Sequence, residues 1–322
     1  MTTDHTTSTR PAPDTTLRIS DAGMETVLIF EHGFDLPEFA AFPLLDRPEG
    51  RAALVDYYDG FIDIADRNGV ELVLDTATWR ASPSWGAKLG YDAAALDRIS
   101  RDAVALVEQV RADRPTDAPK VWISGSVGPA GDGYRPDTVM TVEEATAYHQ
   151  PQLRALAEAG ADIATGLTMT TIDEAVGLAL AAQSAGIPVV VSFTVETDGS
   201  LPSGQTLQAA IEAVDAATGS YPDSYGINCA HPEHFAHRLS ADEEWCTRIG
   251  LIQANASRMS HEELDNAPTL DPGHPGELAI DVAGLRDSLP GLSVVGGCCG
   301  TSHTHLDQIA QACAPVNGFV GT

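Results

Sequence analysis

Three of the five cysteines in this 322-residue chain sit where a thiol could do chemistry. Cys229 closes the run Gly226-Ile227-Asn228-Cys229, and Cys298 and Cys299 are adjacent in Gly296-Gly297-Cys298-Cys299-Gly300. Each follows a short apolar segment, where a barrel strand would deliver its C-terminal residues. Three thiolates gathered from two strand ends would fill three positions of a tetrahedral zinc and leave the fourth open, as catalytic sites do and sealed structural sites do not. The same residues allow other readings: an oxidised vicinal pair, or cysteines serving as small buried apolar groups. No CxxC spacing is present, so the pattern matches no zinc finger or ribbon. Cys246, beside Trp245, and Cys313, in an alanine-rich stretch, read as packing residues.

Short apolar runs that read as strands alternate with longer segments of helical period. The strands fall at Leu17–Asp21, Glu71–Asp75, Lys120–Gly125, Asp162–Gly166, Pro188–Phe193, Ser224–Asn228, Arg248–Ala254 and Ser293–Gly296. Helical segments lie between them at Ala52–Arg67, Ala93–Val110, Val142–Ala159, Ile172–Ser184, Leu207–Ala217, Ile280–Leu289 and His303–Cys313. Thr141 with Glu144, and Thr171 with Glu174, fit capping boxes. Eight such units predict a closed (β/α)8 TIM barrel over 17–322, preceded by a disordered tail at 1–16. The rival is an open doubly wound sheet, but its GxGxxG turn is missing after the first strand. Gly125-Ser126-Val127-Gly128-Pro129 reads as a rim loop, since it lacks the lysine of a phosphate-binding loop. Ala267–Gly276, rich in proline and glycine, reads as a long excursion.

Composition narrows the setting. A hydrophobic content of 43% allows a large core, and a net charge of -28 argues against nucleic acid and acidic membrane surfaces as partners. Lys88 and Lys120 are the only lysines, so positive charge is almost wholly arginine. The first residues are polar and threonine-rich, unlike a secretory signal, and no apolar run approaches membrane-spanning length. The expectation is a cytoplasmic protein, with oligomerisation left open.

Several segments together resemble the homocysteine S-methyltransferase family of zinc-dependent thiol methyltransferases. Asp21-Ala22-Gly23-Met24-Glu25-Thr26 is similar to the family's Asp-Gly-Gly-Met-Gly-Thr. Thr76-Ala77-Thr78-Trp79-Arg80-Ala81-Ser82 is similar to its Asn-Thr-Tyr-Gln-Ala-Ser segment, and Gly125–Pro129 to its Gly-Ser-Ile-Gly-Pro loop. Ser192-Phe193 with Gly204, Gly226–Cys229 and Gly296–Thr301 complete the series, which runs from about Arg18 to Cys313. The resemblance implies zinc on Cys229, Cys298 and Cys299, and methyl transfer to homocysteine or a related thiol or selenol from a small sulfonium or quaternary ammonium donor. The chain ends soon after the eighth unit, so a diffusing donor such as S-methylmethionine, S-adenosylmethionine or a betaine is expected. A zinc-bearing thiol-binding or regulatory barrel without turnover is the alternative. An open-sheet protein with a redox-active Cys298-Cys299 pair is the third reading.

Asp21, Glu25, Thr76, Asn228, Leu167 and Trp79 are the expected substrate-contacting residues. Trp79, Trp85 and Tyr134 are placed in rim loops, where aromatic faces attract onium groups. Histidines such as His231, His234, His237, His303 and His305 read as exposed or helix-terminal. One departure stands out. Where the family has a glutamate associated with the amino group of homocysteine, this chain has Leu167, in Thr165-Gly166-Leu167-Thr168. Ala22 and Glu25 also replace glycines. Either Glu25 or Glu196 then substitutes for the missing carboxylate, or the acceptor is a different thiol.

Overall fold

The computed structural model describes residues 16–112, 114–267 and 269–314, the side chain of residue 265 apart. Eight parallel strands close into a barrel in sequential order. They are β1 (Arg18–Ser20), β2 (Glu71–Asp75), β3 (Val121–Val127), β4 (Ile163–Met169), β5 (Val189–Phe193), β6 (Ser224–Asn228), β7 (Ile249–Ala254) and β8 (Val294–Gly297). Closure is made where β8 pairs with β1, in the register Arg18↔Val294 and Ile19↔Val295. The open-sheet alternative is thereby excluded, and all eight expected strands are found to within three residues at either end. The tail expected at 1–16 lies outside the described residues but for Thr16.

Helices occupy the crossovers: α1 (Met24–Phe30), α2 (Pro48–Asn68), α3 (Pro83–Leu89), α4 (Ala93–Ala112), α5 (Val142–Ala159), α6 (Ile172–Ala185), α7 (Leu207–Thr218), α8 (Pro232–Phe235), α9 (His261–Asp265), α10 (Pro275–Gly284) and α11 (His303–Cys313). The long ones each turn an apolar stripe inward; α4 buries Leu96, Ile99, Ala103, Leu106, Val107 and Val110. The strands are near-continuously apolar because both of their faces are covered, and every residue of β5 is buried. No described helix is long and apolar enough to cross a membrane.

Local chemistry sets the helix ends, with instructive exceptions. Thr141 and Glu144 form the expected capping box at α5. Thr171 and Glu174 do not form one: the Glu174 carboxylate is buried and accepts instead from the Ala130 amide at 2.7 Å, with His149 Nε2 at 3.1 Å. The helix expected at Ile280–Leu289 begins earlier, because Pro275 suits a first helical turn, and it ends at Gly284 in a short 3-10 turn. The sixth crossover carries only the four-residue α8 and 3-10 turns. Gly125–Val127 belongs to β3 and not to a rim loop, which starts at Gly128. Trp85 lies inside α3, buried between Arg80 and Lys88. Histidines 231, 234, 303 and 305 are indeed at helix ends, but His231, His234 and His305 are buried, because their ring nitrogens meet backbone groups.

Candidate functional site

The C-terminal ends of the strands open on one cavity of about 420 Å³, the face of a (β/α)8 barrel where binding sites are built. Asp21, Glu25, Thr76, Trp79, Leu167, Asn228, Cys229, Cys298 and Cys299 all line it. The nine residues expected to hold the metal or contact the substrate therefore all line one cavity. Tyr134 joins them; Trp85 and Glu196 do not. Glu196 is turned instead toward His261, with Oε1 3.5 Å from Nδ1.

The backbone fixes the three sulfurs. Cys229 follows β6 with φ of 55°, a left-handed conformation that is uncommon for a residue bearing a Cβ. It is held there by its carbonyl, which accepts from Asn255 Nδ2 at 3.0 Å and lies 2.9 Å from His261 Nε2. Cys298 follows β8; its amide donates to Ala254 and its carbonyl accepts from Thr301 Oγ1 at 2.6 Å. The opening motif and the cysteine motif are tied reciprocally: Gly23 N donates to Thr301 Oγ1, and Gly300 N donates to Thr26 Oγ1, each at 3.3 Å. Glycine is required at Gly23, where a Cβ would lie 2.5 Å from the Cys298 carbonyl oxygen.

Cys229 and Cys298 are joined by a disulfide in this form, while Cys299 carries a free thiol. The bond runs between two strand ends and not between the vicinal pair, contrary to the oxidised arrangement considered from sequence. Cys246 and Cys313 are buried and free, as packing residues should be. The three site sulfurs lie within 4.8 Å of one another. Such a set of soft donors, gathered on one side of an open cavity, fits a thiophilic metal once the disulfide is reduced. A second cluster, His231, Glu233 and Asp281, is already satisfied by the Arg258 guanidinium, 3.0 Å from Glu233 and 3.5 Å from Asp281.

The cavity floor is acidic. Asp21 and Asp75, at the ends of β1 and β2, are each over nine-tenths buried, and Asp21 Oδ2 and Asp75 Oδ1 have no hydrogen-bond partner among the described residues. Asp75 Oδ2 accepts from Gln253 Nε2 at 3.0 Å, which also donates to Ser20 Oγ. Burial, and then the neighbouring Asp75, push the Asp21 carboxyl well above its ordinary range; burial raises Asp75 as well, against the hydrogen bonds of Ser124 and Gln253. Glu25, in the first turn of α1, is raised to about 7 by burial, against the opposing pull of Arg80. A dry group of carboxylates is uncomfortable until a cation joins it.

Two further devices shape the walls. The β4–β5 register shifts between Gly166 and Met169, and this bulge presents Leu167 to the cavity. Thr168, at φ of 57°, is clamped by Asn228, whose Oδ1 accepts from Thr168 N at 2.9 Å and from Ser192 Oγ at 2.7 Å. Asn228 thus orients the strand end. Thr76 is likewise engaged, bonding Thr78 Oγ1 at 2.7 Å and receiving the Ser126 amide. The Tyr134 ring stacks on His261 with centroids 4.0 Å apart, and its hydroxyl reaches Cys299 Sγ at 3.7 Å. Asp75, Arg80, Gln253 and His261 were not singled out as site residues from the sequence. Asp75 and Gln253 carried a signal, as polar residues at the C-terminal ends of apolar strands.

A barrel with three cysteine sulfurs at its mouth beside a carboxylate floor belongs among proteins built to hold a small thiol or a metal. Comparison with known sequences narrows this class. A family profile described as homocysteine S-methyltransferase matches residues 18–313, and the chain belongs to that family of methyltransferases. It is 30% identical over 283 residues to the homocysteine S-methyltransferase of Escherichia coli (strain K12), covering 82% of this chain and 84% of that protein. It is 31% identical over 246 residues to the methionine synthase of Mycobacterium tuberculosis, covering 70% of this chain but only 19% of that protein. The fold is similar to crystal structures of the homocysteine methyltransferase MmuM from Escherichia coli. Its oxidised form superposes with a TM-score of 0.68 at 24% identity, covering 92% of this chain and 96% of that one. Its metallated form gives 0.64 at 22% identity, with the same coverage.

Proposed function

We propose that this chain is a zinc-dependent S-methyltransferase that moves a methyl group from a small sulfonium or quaternary ammonium donor to homocysteine or a related thiol or selenol. The observation that carries the reading is the convergence of Cys229, Cys298 and Cys299 on one acid-floored cavity. Zinc held by these three residues would act as a Lewis acid that keeps an acceptor thiol deprotonated at neutral pH.

The protein's own groups do the rest. Asp21, Asp75 and Glu25 present negative charge to the cation-bearing end of a ligand, either the ammonium of an amino-acid thiol or the onium of the donor. Glu25 is the acid that stands in for the one missing at Leu167, since it lines the cavity and Glu196 does not. Trp79 offers a ring face at the same wall, held by its indole N–H donating to Thr168 Oγ1 at 2.9 Å. In the transfer, the acceptor sulfur forms a bond to the methyl carbon as the donor's sulfur–carbon or nitrogen–carbon bond breaks. The donor leaves neutral, and the thiol proton goes to solvent. Because the donor's positive charge disappears in the transfer, carboxylates at the onium would serve binding of the donor, and the displacement itself needs only the acceptor thiolate in line with the methyl group.

The test is methyl transfer by the reduced, zinc-loaded protein to L-homocysteine, followed by mass spectrometry, with S-methylmethionine, S-adenosylmethionine and glycine betaine offered separately. Methionine from one of them is the expected result. Zinc retained with no product from any thiol would refute the reading and favour a binding barrel without turnover.

A further inference from the structure

Arg80 is the only lysine, arginine or histidine among the described residues lining the cavity, which also presents the carboxylates of Asp21, Glu25, Asp75, Asp132 and Asp271. Its guanidinium carbon lies over two indoles, 3.8 Å from the ring centre of Trp85 and 4.7 Å from that of Trp79. A guanidinium packed on aromatic rings still has its N–H donors for hydrogen bonds. Few of those donors are used. Among the described residues, Nη1 donates to the Glu38 carbonyl oxygen, and Nε is buried without a partner. A guanidinium has five N–H donors, and a buried one left unpaired is costly.

An arginine serving only to balance charge looks different in this molecule. Arg248 forks onto Asp215, with Nε and Nη2 each 2.8 Å from a carboxylate oxygen. Arg80 forks onto nothing, although Asp132, Glu25 and Glu38 all lie within its electrostatic reach. The Cys299 sulfur lies within that reach as well. The arginine therefore lies against two indoles, is short of partners, and shares its cavity with the sulfurs.

We propose that Arg80 is the carboxylate-recognition residue of this cavity, and that the ligand whose reacting end lies at the sulfurs carries a carboxylate received in the plane of the guanidinium. The proposal deepens the methyl-transfer reading and rests on it for which atoms react. Acidic floor and basic wall then read the two charges of a zwitterion. The carboxylate belongs either to the acceptor thiol or to the methyl donor, and matched probes separate the two.

The experiment is isothermal titration of the reduced full-length protein, wild type and Arg80→Gln, with two pairs of ligands. L-homocysteine is paired with 3-aminopropane-1-thiol, and S-methylmethionine with (3-aminopropyl)dimethylsulfonium, so that each pair differs by the carboxylate alone. Tryptophan fluorescence provides a second readout, because Trp79 and Trp85 both lie against the responding group. Arg80→Gln is expected to weaken the carboxylated member of one pair by about 10- to 100-fold, the range for a charged hydrogen bond, and to leave its partner unchanged. The affected pair identifies the source of the carboxylate. Arg80→Lys, which keeps the charge without the fork, should recover part of the loss and serves if the glutamine variant fails to fold. Equal weakening of both members of each pair, no weakening of either, or no binding of any carboxylated probe to the wild type would overturn the proposal. Methyl transfer is measured separately: carboxylate selectivity without transfer would refute the reaction and leave Arg80's role standing, and transfer without selectivity would do the reverse.

Discussion

Asn228 provides the sharpest test of how the strand ends are held. Its Oδ1 is a shared acceptor for Thr168 N and Ser192 Oγ, in a region where Asn228 is 1% exposed and Ser192 0%. Asn228→Ala leaves two buried donors without a partner. At about 1–3 kcal/mol for each orphaned group, the variant should lose about 2–6 kcal/mol. That is survivable for a domain of ordinary stability, about 5–15 kcal/mol. Ser192→Ala removes a donor but leaves Oδ1 paired with Thr168, so its cost should be about 1 kcal/mol. In the double variant there is no serine hydroxyl left to orphan, and the combined loss should fall short of additivity by about 1 kcal/mol or more. Urea unfolding of the four proteins at one pH, with slopes compared to confirm a common unfolded state, measures all three quantities. Additivity to within about 0.5 kcal/mol would refute the shared-acceptor argument. Weakened thiol binding at unchanged stability would instead make Asn228 a substrate ligand.

Two other expectations follow from the cavity. Cys298→Ser and Cys299→Ser should each lose bound zinc and methyl transfer together, whereas Cys246→Ser, buried away from the cavity, should keep both; metal content by mass spectrometry and product by the same method decide it. Glu25 has a folded pKa of about 7 against an ordinary 4.5, so its protonated form favours the folded state. Its contribution is complete below pH 4.5 and is lost as pH rises through 7; Glu25→Gln should flatten the fall in stability across that window, and an unchanged profile in urea unfolding from pH 4 to 8 would contradict the assignment.

The barrel was legible because parallel strands buried on both faces must be short apolar runs, and the helices between them must be amphipathic. β5 and β6 could hardly be read otherwise. What escaped was short or set by tertiary contact. α1 is seven residues long and carries no capping side chain, so it offers almost no periodicity to detect. Glu174 has the right spacing for a capping box, but a buried histidine and a free amide compete for its carboxylate and win. The fate of each histidine depended on which backbone carbonyl or amide its ring would meet, and no local pattern encodes that.

For the site, the cysteines could be read from their place after two strands, and the family resemblance extended this to the opening and rim motifs. The structure ties two of those motifs together: Thr26 and Thr301 each bond the other's segment, so the loop after β1 and the cysteine turn after β8 form one unit. The charges were harder to read, because their meaning lies in what each lacks. Leu167 could be read from the resemblance as standing where a glutamate is expected, but that both it and Glu25 line the same cavity is set by the β4 bulge and by α1, which no local pattern encodes. Asp21 and Asp75 look like ordinary strand-end acids until each is found with an unpaired, buried oxygen. Negative charge gathered on the β1 and β2 side, with an apolar residue at β4, moves the expected cation toward that side of the barrel. A thiol or donor bound here would therefore point its charged end at β1 and β2 while its reacting atom stays at the sulfurs.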